Sequence, residues 1–348
     1  GHGNEYETQV RVFEGRSTDA YKRPLHADWN SAPDGVDILR GAGLIQEVFP
    51  SYADDIQTVI HIRRAGAVDG QQMGQIMLER FRAAGGQRRL AEVTNIGKAG
   101  GFELTLRPGD AKADSLRAVR IVNAAGPFLG RIAGMLGSAL PVTTVLQQKI
   151  AFEDTDGAIP RAMPFSIDLD GQQIDWTDED RDHLSEDPDH AWLAGEMPGA
   201  IHCRPDGGDR GTWIKIGWAY NEAPSEPTRE PVLDDYFPEV VIRGAARLNP
   251  GLKTYYGRLP RNRTHYGGFY TMTDENWPLI GPTDVDGCFI AGAMSGFGTM
   301  AACGTGDLVA RWMLGRELPD YAEALSYRRA DNAALMAQLH AQQSRGIL

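Results

Sequence analysis

Apolar and polar positions alternate along the chain in patterns that predict short strands and amphipathic helices. Residues 58–62, TVIHI, are typical of a strand. Residues 69–86 then place apolar side chains on one helical face, with Asp69 as the predicted N-cap and Gly85 and Gly86 at the end. The chain is therefore expected to pass from a strand into a helix of about four turns.

A meander and a more apolar strand follow this helix. LAEVTNI and FELTLRP predict an antiparallel pair joined by the turn KAGG. AVRIVNAAG is more continuously apolar, as in a parallel strand covered on both faces. The order of helix, meander and strand predicts an α/β nucleotide-binding domain with an inserted β-meander.

Two predicted strand-to-helix junctions carry small residues at the turn. They read IVNAAGPFLG at 121–130 and FIAGAMSGFGTMAACGTGD at 289–307. Glycine lets the backbone approach a ligand closely, and a helix N-terminus favours a nearby anion by about 0.3–1 kcal/mol. On spacing alone, a tight packing junction without a ligand explains each of them equally well.

Residues 141–275 change character and predict a separate, largely antiparallel domain. VLQQKIAFED and TWIKIGWAY are typical of strands, and LDDYFPEVVIRGAARLNPGL predicts one helix. The acidic stretch 168–189 lacks a spacing of metal ligands and is interpreted as a solvated loop or a substrate lid.

Composition excludes some classes of partner. The 348 residues are 42% hydrophobic and 24% charged, and the net charge of −12 argues against nucleic acid or an anionic membrane surface. The three cysteines form no CxxC pair, so a reducing, cytoplasmic location is predicted. No apolar run approaches ~18–20 residues, so no transmembrane helix is expected. The start GHGNEYETQ, without Met, is interpreted as processed or trimmed.

Several stretches together resemble one family. In chain order they are VFPSYADD with the helix after it, VNAAG, IHCRPDGGDRGTWIKIGW, GFYTMTDENWPLIGP and SGFGTMAACGTGDLVA. This ordered set, over roughly residues 44–330, resembles FAD-dependent oxidoreductases of the D-amino-acid-oxidase, glycine-oxidase and sarcosine-oxidase type.

The resemblance implies an α/β (α+β) fold with two domains. One is a glutathione-reductase-type FAD-binding domain, incomplete at its N-terminus, and the other is a largely antiparallel substrate domain. The FAD-binding domain is expected at 66–140 and 276–348. The substrate domain is expected at 1–65 and 141–275, with the place of 1–43 left open.

The resemblance also implies the residues of the site. The implied FAD-binding residues are Val93, through its backbone on adenine, and Ala125, Gly126, Gly296, Gly298, Thr299 and Met300. The helix after Gly298 would support the negative charge of the reduced flavin. Tyr270 is expected to face the substrate, with a core aromatic as the alternative. His265 is a candidate catalytic residue, although a hydrogen-bonded framework role explains it more simply. No metal is expected.

The chain departs from the family in three ways. It contains no GxGxxG, the motif that binds pyrophosphate. Either that segment is missing from the sequence as given, which is the preferred interpretation, or another polypeptide supplies it, or the chain no longer binds FAD. Tyr270 and Met300 stand where relatives keep a basic anchor for the substrate carboxylate, so Arg263 or Lys149 would have to replace it. Gly268 excludes covalent flavin at its position.

These features predict oxidation of a C–N bond in an amine or N-substituted amino acid. Hydride would pass to flavin N5, and the resulting imine would be hydrolysed by water. Lys149 near the flavin would assist reaction with oxygen, although a solvated strand lysine is the simpler interpretation. Two alternatives remain open: oxidation of a 2-hydroxy acid on the same fold, and a non-catalytic subunit of a multi-chain oxidoreductase.

Overall fold

The computed structural model describes residues 9–15, 21, 34–107, 114–208 and 210–342. The chain forms two compact units that alternate along the sequence. Unit 1 comprises 1–68, 148–220 and 232–267, and unit 2 comprises 69–147, 221–231 and 268–348. Much of the stretch 1–43, whose place the sequence left open, lies outside the described residues. The division into a FAD-binding and a substrate domain stays a prediction.

The described part of unit 1 is built mainly from antiparallel strands and two helices of eight residues or more. Its elements are β1 (Val10–Glu14), β2 (Val36–Arg40), α1 (Ala42–Val48), β3 (Thr58–Ile62), most of β8 (Thr143–Glu153), β9 (Ser166–Asp168), β10 (Gln172–Gln173), α4 (Asp178–Glu186), β11 (Glu196–Met197), β12 (Ile201–Asp206), β13 (Trp213–Gly217), α5 (Phe237–Leu248) and part of β14 (Arg263–Met272). A five-stranded sheet has the strand order β14-β8-β13-β12-β9, and β1, β2 and β3 form a separate three-stranded sheet.

A continuous hydrophobic core fills unit 1. Helix α5 buries its apolar face against one side of the five-stranded sheet, and Val240, Val241 and Ile242 are fully buried. Gly244 makes this contact possible, because a Cβ there would lie 2.4 Å from the ring of Trp218. The indole N–H of Trp218 donates to the Pro198 and Gly199 carbonyls, so its polar atom is satisfied inside the core.

Unit 2 combines a meander, a small mixed sheet and helices. Its elements are α2 (Gly70–Ala83), β4 (Glu92–Lys98), β5 (Phe102–Arg107), β6 (Asp114–Ala118), β7 (Ile121–Asn123), α3 (Leu129–Met135), β15 (Leu279–Pro282), β16 (Cys288–Gly292), α6 (Gly298–Leu314), α7 (Ala322–Leu325) and α8 (Ala333–Ala341). Strands β4-β5-β6 form the predicted antiparallel meander. Strand β16 pairs parallel with β7 and antiparallel with β15. This mixed α/β architecture confirms the predicted fold class.

Most predicted elements are present, and two predictions are wrong. Helix α2 begins after Asp69, whose carboxylate accepts from two backbone N–H groups, as predicted. The acidic stretch is not simply a loop, because α4 forms within it from a capping box between Thr177 and Asp180. AVRIVNAAG is not one buried strand. It divides into β6 and the short edge strand β7, and Val122 is 39% exposed.

Candidate functional site

Two strand-to-helix junctions of unit 2 open at the same edge of its mixed sheet. In the parallel pair of β7 and β16, Ile121 lies opposite Cys288 and Asn123 lies opposite Ile290. The carboxyl ends of both strands therefore lie side by side, about 4.8 Å apart. Each strand leads directly into a glycine-containing turn, and such ends are where α/β sheets bind ligands.

The turn between β16 and α6 holds its backbone in an unusual conformation. Ala293, Ser295 and Gly296 have φ values of 56°, 47° and 91°. This region is costly for residues with a Cβ, and it is found where function requires a fixed backbone. The N–H of Ser295 donates to the Thr271 carbonyl at 3.1 Å, which fixes the turn to the end of β14.

Helix α6 presents an uncapped N-terminus at this turn. The residue before it, Phe297, makes no side-chain capping hydrogen bond, and the N–H of Ala301 is the first to bond back to the Phe297 carbonyl. The N–H groups of the preceding residues are therefore directed away from the helix. Thr299 and Met300 are exposed here, Met300 by 65%.

Asn123 fixes the second turn. Its buried side chain donates to the Leu129 carbonyl at 2.9 Å and accepts from the N–H of Ala125 at 3.4 Å. Gly126 follows with φ of 58° and open space around it, so no Cβ obstructs an approach to this backbone. Ala125 and Gly126 therefore form an accessible turn beside the one that contains Gly296 and Gly298.

Two other predicted site residues also lie in unit 2. Val93 begins an irregularity of β4, where the pairing with β5 shifts between Val93 and Asn95, and its side chain packs beside Ile96. Tyr270 is half-buried on β14 and directly precedes Thr271, which binds the turn at Ser295. The structure thus connects Tyr270 to the β16–α6 turn, while Val93 belongs to the meander.

His265 lies in unit 1 and makes framework contacts. Its Nε2 is 2.9 Å from Gln148 Oε1, and its ring stacks on Phe237 at 5.5 Å. Burial lowers the pKa of His265, with opposing effects from Asp234 and Asp235. The proposed catalytic role of His265 stays a prediction.

A buried ion pair in unit 2 was missed by the sequence analysis. Arg329 contacts Glu275, and both side chains are almost fully buried. The same guanidinium donates to the carbonyls of Trp277 and Pro278. Arg329 therefore holds the TDENWP segment between Tyr270 and β15. The sequence YRRAD around Arg329 carries no signal that would have predicted this contact.

The chemistry of these turns fits a flavin nucleotide. Ser295 Oγ is buried, with no hydrogen-bond partner among the residues that the structure describes. An unpaired buried hydroxyl costs about 1–3 kcal/mol unless a ligand or water bonds to it. It lies beside free helix N–H groups that favour negative charge and beside glycines that permit close approach.

Comparison with known proteins identifies the family. The model of the FAD dependent oxidoreductase family matches residues 9–312. The chain belongs to this family of FAD-dependent enzymes. FAD is therefore its cofactor, as the resemblance implied.

Solved structures with the same fold are distant in sequence. Glycine oxidase from Geobacillus kaustophilus is 18% identical, with a TM-score of 0.62 over 86% of this chain and 69% of its own. L-proline dehydrogenase from P. horikoshii is 17% identical, with a TM-score of 0.63 over 85% and 69%. Iminodiacetate oxidase from Chelativorans sp. BNC1 is 19% identical, with a TM-score of 0.60 over 84% and 66%. No curated relative matches the sequence.

No helix within residues 34–107, 114–208 and 210–342 is both long and apolar enough to cross a bilayer.

Proposed function

We propose that the chain oxidises a C–N bond of an amine or an N-substituted amino acid. The observation that carries this proposal is the pair of glycine turns at the carboxyl ends of β7 and β16, together with the unpartnered Ser295 hydroxyl. The distant structural neighbours support the substrate class, because their names denote glycine, proline and iminodiacetate. When bound, FAD supplies a two-electron oxidation that leaves an imine, which water hydrolyses.

The residues of unit 2 would bind and polarise the cofactor. Gly296 and Gly298 leave room for close approach, and the first N–H groups of α6 would stabilise negative charge with the helix dipole. Ala125 and Gly126 would contact it from the neighbouring turn. Met300 offers an exposed apolar side chain for a planar ring, and Tyr270 would orient the substrate.

A further nucleotide-binding segment would complete cofactor binding, on this or on another polypeptide. The 348 residues contain no GxGxxG to hold the pyrophosphate. Helix α2 of unit 2 buries none of its residues, and Ile76, Met77 and Phe81 are each more than 40% exposed. An apolar helix face of this kind is normally covered.

The cytoplasmic location stays a prediction from the cysteine content.

Visible spectroscopy of the purified chain tests the proposal. After incubation with FAD and removal of the unbound FAD by gel filtration, flavin bands are expected to stay with the protein, and glycine, L-proline or iminodiacetate should bleach them in the absence of oxygen. Glycolate serves as the 2-hydroxy acid, and bleaching by glycolate alone would contradict C–N oxidation. A protein that stays colourless with FAD contradicts the proposal for this chain alone.

Matched glycine variants test the cofactor site separately. Gly296→Val places a β-branched side chain where φ is 91°, a strained conformation for it, so FAD affinity should fall at least about tenfold. Gly304→Ala is the control, because Gly304 lies within α6 with open space around it and should keep wild-type affinity. Equal FAD affinity in both variants would show that the β16–α6 turn does not hold the cofactor.

A further inference from the structure

One face of the three-stranded sheet in unit 1 is apolar and exposed. Strand β2 lies between β1 and β3, and the register places two rows of three residues on the same side of the sheet. All six are β-branched and apolar, and we call them the apolar sheet face: Val10, Val36 and Ile62 in one row, and Val12, Ile38 and Ile60 in the other. The four that lie on the outer strands are each 43–58% exposed.

The opposite face of this sheet is already packed. Phe13, Leu39 and Val59 share a row there and contact the hydrophobic core of unit 1. Tyr21, in the connection between β1 and β2, packs its ring against Phe13 and against His61 on this same side. The core of unit 1 therefore lies on one side of the sheet, and the apolar sheet face is directed away from it.

Pairs of opposite charge close both ends of the apolar sheet face. At one end, in the next row of the sheet, Arg40 contacts Glu14 at 3.1 Å. At the other end, just outside the first residue of β2 and the last residue of β3, Arg64 contacts Asp34 at 3.1 Å. The rim of the face thus carries both signs of charge, and no net charge on it repels an identical surface.

The apolar sheet face is large for a patch on a soluble protein. At these exposed fractions its six residues present roughly 400 Å², and patches of this size often mark interaction sites. A standard interface buries about 800 Å² on each partner, of which a little more than half is non-polar. The face therefore supplies about the apolar area that one side of such an interface needs.

The order of charges along β2 suits an identical partner. The two apolar rows are centred on Asp37 of β2, and Asp34 and Arg40 lie three residues to either side of it. When a second copy faces this sheet across a two-fold axis perpendicular to the strands, β2 lies over β2 and runs in the opposite direction. Asp34 of each copy then lies opposite Arg40 of the other, so the same charge contact forms twice. An axis along the strands would instead place Arg40 opposite Arg40, which is unfavourable.

We propose that the apolar sheet face joins two copies of this chain in a two-fold dimer. The two sheets pack face to face about 10 Å apart, as the halves of a β-sandwich do. The β-branched side chains of the two faces interdigitate, and Arg40 and Asp34 fix the direction of one sheet over the other. The dimer does not depend on the proposed oxidation, because its contacts lie within this sheet and at its ends.

Sedimentation velocity of the full chain tests the proposal. Between about 1 and 100 µM the wild type should form dimers. Val12→Lys and Ile60→Lys each bury a charge at the centre of the face, so each should raise the Kd of the dimer at least about tenfold. Val232→Lys is the matched control, because Val232 is 91% exposed in unit 1 outside this sheet and should dimerise as wild type does. Phe81→Lys, on the exposed face of α2, should likewise leave the dimer intact.

Charge reversal tests the two-fold arrangement. Arg40→Asp and Asp34→Arg should each weaken the dimer about fivefold or more, because each places like charges opposite one another across the axis. The double variant restores opposite charges and should dimerise within about threefold of wild type. Glu14→Gln is the control for the contact within one copy, because it also removes the ion pair of Arg40 and should weaken the dimer less than about threefold.

Three results would overturn the proposal. A wild type that stays monomeric over this range overturns it and leaves the face to another polypeptide. A dimer that neither Val12→Lys nor Ile60→Lys weakens has its interface elsewhere. A double charge variant no stronger than the single ones overturns the two-fold arrangement. Circular dichroism establishes that each variant is folded, and if one lysine variant does not fold, the other decides.

Discussion

The two units bury their apolar side chains in different ways. Unit 1 has one continuous core that extends across the five-stranded sheet, α5 and the neighbouring loops. In the described part of unit 2 the buried apolar residues fall into smaller separate clusters, around Leu129, around Leu308 and around Ile96. Two amphipathic helices show the contrast directly, since α5 buries eight residues and α2 buries none.

This difference indicates what holds each unit together. Unit 1 depends on hydrophobic burial, which contributes about 25 cal/mol for each Å² removed from water. Unit 2 has smaller apolar clusters and contains particular buried polar contacts, namely the Arg329–Glu275 pair and the Asn123 hydrogen bonds. The apolar face of α2 is exposed in unit 2. Four sets of substitutions test this contrast.

Glu275→Gln is expected to have the largest effect. It leaves the Arg329 charge buried without its counter-charge, which costs about 3–5 kcal/mol. Hydrogen exchange should show faster exchange in unit 2 around 273–282, with unit 1 unchanged. Asp307→Asn is the control, because it removes an exposed partner of Arg311 and should leave stability nearly unchanged. Equal effects would show that the buried pair has no special importance for unit 2.

A matched pair of Ile→Ala substitutions tests the two helices. Ile242 of α5 is 0% exposed, and its replacement should lower the free energy of unfolding by about 2–4 kcal/mol. Ile76 of α2 is 45% exposed, and its replacement should change stability by at most about 0.5 kcal/mol. Urea unfolding followed by circular dichroism measures both. A loss at Ile76 comparable to that at Ile242 would mean that the face of α2 is covered in solution.

Local sequence signals predicted the elements well where one residue type decides the structure. Asp69 predicted the start of α2, and the apolar run CFIAG predicted β16. Helix α4 was missed because its apolar pattern is weak and a capping box at Thr177 specifies its start. The exposure of α2 was also unexpected, since periodicity shows which face is apolar but not what covers it.

The site was predictable only in part, because its chemistry depends on contacts between distant residues. The family motifs led to both glycine turns, although the roles of their residues stay predictions. Lys149 Nζ lies 3.2 Å from His202 Nε2, and this contact depends on the register that pairs Gly217 with both residues, which no local pattern reveals. The sequence likewise could not show that the Ser295 hydroxyl has no partner among the described residues, because this depends on the position of every neighbouring donor and acceptor.

The partly buried Lys149 of β8 gives unit 1 a pH dependence that its apolar core does not have. The pKa of Lys149 is about 8 in the folded chain and about 10.5 when unfolded, so between these values the unfolded chain binds more protons. The contribution of Lys149 to the free energy of unfolding should therefore rise with pH from about 8 to 10.5, by about 1–3 kcal/mol. Comparing wild type with Lys149→Met across this range isolates the effect.

Lys149→Arg is the control for this titration. Its guanidinium stays charged over the whole range, so it should not reproduce the rise seen with the lysine. A wild-type stability that follows Lys149→Arg at every pH from 8 to 10.5 would show that Lys149 is solvated in the folded chain.

The smallest effect on stability is expected at the start of α2, the helix that buries no residue. The Asp69 carboxylate accepts from the N–H groups of Gln71 and Gln72 at 2.9 and 3.0 Å. Because α2 buries no residue, this cap is a large part of what stabilises the helix, and Asp69→Ala should cost it about 1 kcal/mol. Hydrogen exchange in 70–83 should become faster, while Asp69→Ser keeps a capping oxygen and should retain the wild-type rate. Unchanged exchange in Asp69→Ala would indicate that another surface already holds α2 in place.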